Sequence, residues 1–265
     1  MAMYHLSVKA ISRRKGQSAV ASAAYRSGEK LYSHYDGQIY DYPRKSRIIH
    51  KEILIPINAP HVYRTREILW NAVEAAEKRS DSRLAREIEL ALPNEISLSE
   101  QIILIHEFIY KNFISQGMCA DIAIHTDHQE KKDSREENPH AHIMLTTRCV
   151  DENGFNKKKA RDWDKRDNVT FWREQWADIQ NAEYERKDLG VRVSHESFIK
   201  QGLDREPSKH IGHRATELER RGIQTDRGNE NRLIIARNEE RDKQKERQNL
   251  RNFSHFRDVE KEMGR

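Results

Sequence analysis

Hydrophobic and polar residues alternate along several short stretches of the chain, which is the pattern of a β-strand with one buried face. The stretch "RLAREIELALP" shows it most clearly, because Ile88 and Leu90 fall on one face and Glu87 and Glu89 on the other. The same alternation predicts four further strands, in "MYHLSVKAI", "HKEILIPI", "ADIAIHTD" and "HAHIMLTTRCV". Together these strands can form a sheet that buries one of its faces.

Segments with helical periodicity and capping signals lie between the predicted strands. Ser18 precedes the Ala-rich stretch "AVASAAYRSG", which ends near Gly28. Thr65 is the predicted cap of the helix "TREILWNAVEAAEKR". Ser97 and Glu100 form a capping-box pattern at the start of "SLSEQIILIHEFIYKNFISQG". Each helix is therefore predicted together with its first residue.

The order of these elements predicts an α+β fold with a mostly antiparallel five-stranded sheet. The helices are expected on one face of the sheet and a functional site on the other face. Residues 1–200 are predicted to form this domain, which ends with a helix from about 165 to 189. Residues 201–265 are predicted to be a highly charged C-terminal extension, helical or disordered, to which a further domain of a longer protein would connect.

Charge and cysteine content narrow the function classes. Charged residues make up 34% of the 265 residues, and Lys plus Arg exceed Asp plus Glu, 48 against 43. This modest excess is compatible with nucleic-acid binding without demonstrating it. Cys119 and Cys149 have no CxxC spacing, so we expect buried small hydrophobic residues rather than a disulfide or zinc ligands. No signal peptide or membrane-spanning run is recognisable, so we expect a cytoplasmic protein without membrane insertion.

Side chains that can bind a metal collect on the polar face of the predicted sheet, namely His5, Glu87, Glu89, His125, His140 and His142. His140 and His142 lie two residues apart on one strand, so both imidazoles point the same way and can chelate one ion. Antiparallel pairing across the intervening polar loop would bring His125 beside them. Three imidazole ligands would leave coordination positions open for a substrate oxygen. Because an isolated His-x-His pair usually binds nothing, the third histidine is what favours a metal site.

Two glutamates and a tyrosine are candidates for roles beside this metal site. Glu87 and Glu89 could orient a ligand imidazole or accept a proton from a nucleophile, or they could be solvated, and their spacing does not rank them. Tyr25 lies among small residues that let its helix approach a sheet closely. As a nucleophile, a phenol with a pKa near ~10 needs a base or a cation, which Arg26 or a metal could supply. Without such a context Tyr25 would be a packing residue.

Two basic segments are candidate contacts for DNA phosphates, with solvated surface loops as the alternative interpretation. The candidate DNA contacts are Arg13, Arg14 and Lys15, Arg26 beside Tyr25, and Lys157, Lys158 and Arg161. Trp163, just after the second segment, could stack on an unpaired base or be a half-buried tryptophan of a surface turn. The helical spacing of Trp172 and Trp176 predicts core packing.

Three separated stretches of the chain resemble one family, in the order in which that family has them. They are "YHLSVKAISRRKGQSAVASAAYRSGEKL", "REIELALP" and "HTDHQEKKDSREENPHAHIMLTTR". They are similar to the MobA/MobL-type relaxases of mobilisable and conjugative plasmids, which are MobQ-like HUH endonucleases, and the likeness runs from residue 3 to about 225. The resemblance implies roles for six residues: the nucleophile Tyr25, the HUH pair His140 and His142, the third metal ligand His125, and one or both of Glu87 and Glu89 as assisting carboxylates.

The same resemblance implies a site- and strand-specific transesterase that nicks transfer-origin DNA, holds it through a 5′-phosphotyrosine and later rejoins the strand. It implies a divalent metal, Mn²⁺ or Mg²⁺, with Co²⁺, Ni²⁺ or Zn²⁺ as further options for a three-histidine site. The implied partners are single-stranded or hairpin transfer-origin DNA, a type IV secretion coupling protein and accessory relaxosome proteins. Three alternatives remain, namely a rolling-circle replication initiator, a metallohydrolase without a tyrosine nucleophile, and a non-catalytic origin-binding repressor, for which basic charge suffices.

Overall fold

A computed structural model of the protein describes residues 4–42, 48–126 and 139–263. The chain divides into two compact units, Met1–His195 and Glu196–Arg265. The first unit carries the sheet, and the second consists of two helices and the segment that precedes them. The assignment of residues 1–200 as the functional domain and of residues 201–265 as an extension stays a prediction.

Nine strands lie in the described part of the chain, and five of them form the main sheet. In chain order they are β1 (Leu6–Ser12), β2 (Leu31–Tyr32), β3 (Ile39–Tyr40), β4 (Ile48–Leu54), β5 (Arg83–Ala91), β6 (Ala120–His125), β7 (His140–Thr146), β8 (Arg148–Asp151) and β9 (Gly154–Lys159). The main sheet has the order β1-β5-β7-β6-β4, and all neighbours are antiparallel. β2 with β3 and β8 with β9 form two-stranded hairpins. The predicted five-stranded antiparallel sheet is therefore confirmed.

Six α-helices lie in the described chain, and the first three of them begin directly after the predicted capping residues. They are α1 (Ala19–Ser27), α2 (Arg66–Ala76), α3 (Leu98–Asn112), α4 (Arg166–Arg186), α5 (His213–Arg220) and α6 (Asp226–Met263). Ser18 caps α1, because its Oγ accepts a hydrogen bond from the Ala21 N–H. Ser97 and Glu100 form the complete capping box of α3. Thr65 precedes α2 as predicted, but its side chain makes no capping hydrogen bond, so that contact was predicted wrongly.

Helices α3 and α4 cover one face of the main sheet. The isoleucines Ile88, Ile122 and Ile143 of three adjacent strands are fully buried against them. The covering layer is built from aromatic rings that pack mainly edge to face, namely Phe108, Phe113, Trp163, Trp172 and Trp176. Trp172 and Trp176 are core residues as predicted, whereas Trp163 is too deeply buried to stack on an unpaired base.

The opposite face of the sheet is half covered by α1 and α2. Ala23 and Ala24 of α1 are buried in one cluster with Trp70 of α2 and Met144 of β7. Helices had been predicted on one face only. The difference arises because the alanines of α1 let that helix lie close to the sheet, over the apolar residues of this otherwise polar face. The remaining half of the face carries the predicted histidines and glutamates.

The second unit is built around the 38-residue helix α6. Side chains of Asn231 and Asn238 on α6 hydrogen-bond the backbone of Lys209 and Glu206, which fixes the segment before α5 along the helix. The charged tail is therefore helical, one of the two predicted states. Among all helices that the structure describes, none is both long and apolar enough to span a bilayer.

Removing the capping box of α3 should weaken the fold measurably. Ser97→Ala is expected to lower the free energy of unfolding by about 1 kcal/mol, because the first turn of the helix loses its side-chain acceptor. Thr65→Ala changes the cap position of α2 where no such contact exists, so it should have a much smaller effect. Urea unfolding followed by circular dichroism measures both, and equal losses would contradict the described difference between the two caps.

Candidate metal centre and its surroundings

Pairing of β6 with β7 brings three histidines together. His125, the last residue of β6, lies opposite His140, the first residue of β7, and His142 lies two residues further on the same face. The centroids of the three rings are 4.9 to 5.5 Å apart. One ring nitrogen from each histidine lies within 4.8 Å of the other two. We call these residues the three-histidine cluster.

The donor set of the three-histidine cluster fits a divalent first-row metal. Neutral imidazole nitrogens are good ligands for such ions, and three of them leave coordination positions for water or a substrate oxygen. His125 is buried, while His140 and His142 are half-buried, so the cluster lies at the edge of a packed face. Within the described ranges, no other group of three or more histidine, cysteine or carboxylate side chains brings its ligand atoms this close.

Glu87 connects the three-histidine cluster to α1. Its carboxylate accepts two hydrogen bonds of 2.6 Å from the Arg26 guanidinium and one of 2.9 Å from the His142 Nδ1–H. Burial by itself raises the pKa of the Glu87 carboxyl, but the His142 hydrogen bond and the Arg26 ion pair outweigh it and lower the pKa to about 2. Glu87 is therefore an anion at neutral pH. With Nδ1 of His142 as the donor, the lone pair of the neutral ring lies on Nε2.

Glu89 has a different partner from Glu87. Its Oε2 accepts a hydrogen bond of 2.8 Å from the Lys9 Nζ on β1. Burial alone would raise the pKa of the Glu89 carboxyl, but the hydrogen bond and charge of Lys9 lower it below its usual range. Glu89 lies opposite His142 in the pairing of β5 with β7. The two carboxylates that spacing could not rank are thus separated by their contacts, because Glu87 hydrogen-bonds a histidine of the cluster and Glu89 hydrogen-bonds a lysine.

Tyr25 lies in the last turn of α1, beside the three-histidine cluster. The backbone carbonyl oxygen of the next residue, Arg26, accepts a hydrogen bond of 2.7 Å from the His125 Nε2–H. The Tyr25 ring packs edge-on against the Tyr42 ring, with centroids 5.4 Å apart, and the residue remains 48% exposed. The tyrosine is therefore held by its neighbours and is still accessible from solvent.

A buried ion pair, which was not predicted from the sequence, fixes α2 on the same face of the sheet. The Arg66 guanidinium lies 2.7 Å from Asp121 Oδ1 of β6, and the Trp70 Nε1–H donates to the other carboxylate oxygen at 2.7 Å. Arg66 also donates to Glu29, just beyond α1, at 2.7 Å. This network ties α1, α2 and β6 together. Its one sequence signal was an acidic residue, Asp121, inside an otherwise apolar strand.

Two of the predicted DNA contacts are engaged inside the fold. The Arg13 side chain is 9% exposed, pairs with Glu74 Oε2 at 2.6 Å and lies 4.1 Å from the centre of the Tyr35 ring. Arg26 is held by Glu87 in the same way. These contacts argue against phosphate binding by either guanidinium. Arg14 and Lys15 remain exposed in a short 3₁₀ turn.

The other predicted DNA contacts border a basic groove. This groove has a volume of about 900 Å³ and lies between the C-terminal end of α2 and the β8–β9 hairpin. Its basic lining consists of the predicted Lys157, Lys158 and Arg161, of Lys159 from the same basic segment, and of Lys78, Arg79, Arg83 and Arg148, which were not predicted. A neighbouring cavity of about 500 Å³ shares Arg83 and Arg161 and is also lined by Arg14. Glu77 pairs with Arg148 and Lys159, and the exposed Lys157 and Lys158 lie beside them.

The sheet, the three-histidine cluster and the basic groove define an α+β protein with a candidate metal-binding face and a separate basic surface. A family model described as the MobA/MobL family matches residues 17–221, and the chain belongs to this family. The resemblance seen in the sequence is thereby confirmed.

Individual relatives agree with this assignment. The chain is 35% identical to Mobilization protein MobL of Acidithiobacillus ferridurans, over 83% of this chain and 65% of the relative. It is 32% identical to Conjugal transfer protein TraA of Agrobacterium fabrum, over 84% of this chain but 22% of the relative. A solved structure described as "Molecular Basis of Vancomycin Resistance Transfer in Staphylococcus aureus" aligns with a TM-score of 0.65 and 35% identity, covering 74% of this chain and 100% of that chain. The chain thus spans less than two thirds of the length of MobL and of TraA.

Replacing a histidine of the three-histidine cluster should abolish tight metal binding. His142→Ala removes one of three nitrogen donors, so we expect the Kd for Mn²⁺ to rise by roughly 100-fold or more. Mutations of groups that only hydrogen-bond a metal ligand typically raise the Kd by about 10- to 100-fold, and loss of a ligand should cost more. His61→Gln replaces an exposed histidine outside the cluster and should leave the Kd unchanged. Isothermal titration calorimetry of the protein without DNA measures both. Equal Kd values for His142→Ala and wild type would rule out the cluster as the metal site.

Proposed function

We propose that this chain is the relaxase part of a plasmid mobilisation protein, a metal-dependent enzyme that nicks one strand of transfer-origin DNA at a specific site. The observation that carries the proposal is the 2.7 Å hydrogen bond between His125 and the carbonyl of Arg26, because it holds the turn that contains Tyr25 against the three-histidine cluster. The nucleophile and the metal would then act on the same phosphate group of the DNA. Membership of the MobA/MobL family supports the same conclusion.

His125, His140 and His142 would hold the metal, which when bound supplies a Lewis acid for a scissile phosphate. Three imidazole donors favour Mn²⁺, Co²⁺, Ni²⁺ or Zn²⁺, while abundance in the cell favours Mn²⁺ or Mg²⁺. Glu87 holds the His142 ring in the tautomer that presents Nε2 to the site. Glu89 has no such contact and would act on the site through its charge.

The phenol oxygen of Tyr25 is the proposed nucleophile. Its Oη forms a bond to phosphorus while the bond from phosphorus to O3′ breaks. The phenol gives up its proton and the departing oxygen takes one up, so the products are a 5′-phosphotyrosine and a 3′-hydroxyl. One phosphodiester replaces another, so attack by a 3′-hydroxyl can reverse the step and rejoin the strand without an external energy source. Tyr42 supports the ring of the nucleophile from the side.

The basic groove is the proposed surface for the rest of the DNA. Thr147, which lines its smaller neighbouring cavity, follows His142 by five positions. Five residues of an antiparallel strand span about 17 Å, so one DNA molecule can contact both the groove and the three-histidine cluster. Single-stranded or hairpin transfer-origin DNA is the proposed substrate. The proposed protein partners are a type IV secretion coupling protein and accessory relaxosome proteins, and the reaction would take place on plasmid DNA in the cytoplasm.

Removal of the Tyr25 hydroxyl should abolish covalent attachment to DNA. Wild-type protein, mixed with Mn²⁺ and labelled single-stranded fragments of its cognate transfer origin, should give a slow band on a denaturing gel. Tyr25→Phe should give none, because no other group supplies the attacking oxygen. Tyr32→Phe, at another exposed tyrosine near α1, is the matched control and should form the adduct at the wild-type rate.

Two outcomes of the gel assay would contradict the proposal. Cleavage that survives in Tyr25→Phe would indicate a metallohydrolase. DNA binding without an adduct, on every fragment tested, would indicate a non-catalytic origin-binding protein.

Neutralising a lysine of the basic groove should weaken DNA binding in a salt-dependent way. Lys158→Gln removes one phosphate contact, so the slope of log K against log salt should fall in magnitude by about 1. Lys111→Gln changes an exposed lysine on α3, on the other side of the sheet, and should leave the slope unchanged. Fluorescence anisotropy over a salt series measures both. The same slope for Lys158→Gln and wild type would remove this groove from the DNA-binding surface.

A further inference from the structure

Arg26 is linked to two different histidines of the three-histidine cluster, to one directly through its backbone and to the other through the Glu87 carboxylate that its side chain binds. Its carbonyl oxygen accepts the hydrogen bond from His125 Nε2–H at 2.7 Å. Its guanidinium holds the Glu87 carboxylate through two bonds of 2.6 Å, and that carboxylate accepts the hydrogen bond from His142 Nδ1–H at 2.9 Å. A single residue, adjacent to Tyr25 in the chain, is therefore linked to β6 directly and to β7 through Glu87 of β5.

Each of the three guanidinium nitrogens of Arg26 makes a hydrogen bond inside the fold. Nε and Nη2 bind Glu87, and Nη1 donates to the Ser22 carbonyl oxygen on the preceding turn of α1 at 2.8 Å. The Arg26 side chain is 17% exposed and that of Glu87 is 6% exposed. A planar guanidinium that forms two parallel hydrogen bonds to a carboxylate fixes the orientation of that carboxylate. A donor that forms only one hydrogen bond leaves the carboxylate free to rotate. The direction in which Glu87 points is therefore set by α1.

The direction of Glu87 in turn sets the position of a ligand nitrogen. A histidine that binds a metal through one nitrogen is oriented by the acceptor of its other N–H, and changes at that acceptor typically weaken metal binding about 10- to 100-fold. His142 donates from Nδ1 to Glu87, and His125 donates from Nε2 to Arg26. With these nitrogens engaged, the two rings would bind a common ion through opposite nitrogens, Nε2 of His142 and Nδ1 of His125.

We propose that Arg26 is a positioning residue that couples the metal site to the helix bearing the nucleophile: it orients His142 through Glu87, orients His125 through its own carbonyl, and thereby places Tyr25 relative to the metal. This inference rests on the proposed function for the role of Tyr25. Its claim about metal affinity is independent of DNA chemistry. Arg26 thus acts inside the site and does not bind a DNA phosphate.

The neighbouring pair of Lys9 and Glu89 provides a matched control for Arg26 and Glu87. Both carboxylates lie on the same face of β5, and each is paired with a cation from another element. Lys9, however, is 61% exposed and its carboxylate partner hydrogen-bonds the lysine rather than a histidine of the cluster. Loss of a positive charge beside β5 is therefore the same in both cases, while the link to His142 belongs to Arg26.

The test is a double-mutant cycle on metal affinity, measured by calorimetry with Mn²⁺ and no DNA. Arg26→Gln should raise the Kd by about 10-fold, which is the lower end of the range for groups that hydrogen-bond a metal ligand. Arg26→Lys should raise it by less, since lysine keeps the positive charge but loses the two parallel hydrogen bonds to the carboxylate. In a Glu87→Gln background, Arg26→Gln should have little further effect, because its route to His142 is already lost. Lys9→Met should change the Kd much less than Arg26→Gln does, because the carboxylate that Lys9 binds does not hydrogen-bond His142. Thermal unfolding identifies any variant that is not folded. If Arg26→Gln is not folded, the Kd of Arg26→Lys is used for the test instead.

A second measurement separates positioning from DNA binding. In the adduct assay, Arg26→Lys should need more Mn²⁺ for half-maximal rate, in proportion to its higher Kd, while the DNA concentration for half-maximal rate stays as in wild type. An unchanged Mn²⁺ requirement with a raised DNA requirement would overturn the proposal in favour of a phosphate contact. Additive effects of Arg26→Gln and Glu87→Gln on the Kd would also overturn it. If wild-type protein forms no adduct, the proposed function fails, and the metal cycle still decides the role of Arg26.

Discussion

The ion pair between Arg26 and Glu87 is the contact on which the arrangement of the site depends. It joins α1 to β5 across the sheet face, with both bonds at 2.6 Å. A buried carboxylate without this cation would be strongly disfavoured, and the His142 ring would lose a charged acceptor. The same helix carries Tyr25, so one interaction would set both the proposed metal ligands and the proposed nucleophile. The position of α1 on the sheet would therefore matter for the proposed function as well as for packing.

The two faces of the main sheet differ in the side chains that they carry. Helices α3 and α4 bury one face under isoleucines and aromatic rings, which supplies the apolar core without any catalytic group. The other face combines an apolar half, closed by α1 and α2, with a polar half. The buried pair of Arg66 and Asp121 lies within this second face and contacts Glu29 beyond α1. Polar side chains can remain on this face because nearly all of them are hydrogen-bonded in pairs, which lowers the cost of their burial.

Charge is distributed differently around the candidate metal site and the basic groove. Two cations that the structure describes near the three-histidine cluster are neutralised, since Arg26 binds Glu87 and Lys9 binds Glu89. The groove beyond the other end of β7 carries exposed lysines in addition to paired residues. Long-range attraction of a polyanion would therefore act mainly through the groove, while short-range geometry governs the metal site. A DNA strand held by the groove would be brought to the cluster without competing with its ligands.

The sequence by itself determined the five strands of the main sheet, the starts of α1, α2 and α3, and the set of residues that face one side of the sheet, because these follow from local periodicity and capping. The polar face with His125, His140 and His142 could be predicted for that reason, since strand alternation fixes which side chains share a face. Only the tertiary structure decided how α1 lies on that face. The partner of Glu87 depends on it, and the partner of Glu89 depends on the pairing of β1 with β5, because Arg26 is 61 residues from Glu87 and Lys9 is 80 residues from Glu89. Contacts between residues so far apart are set by helix packing and strand order, and no local pattern encodes them.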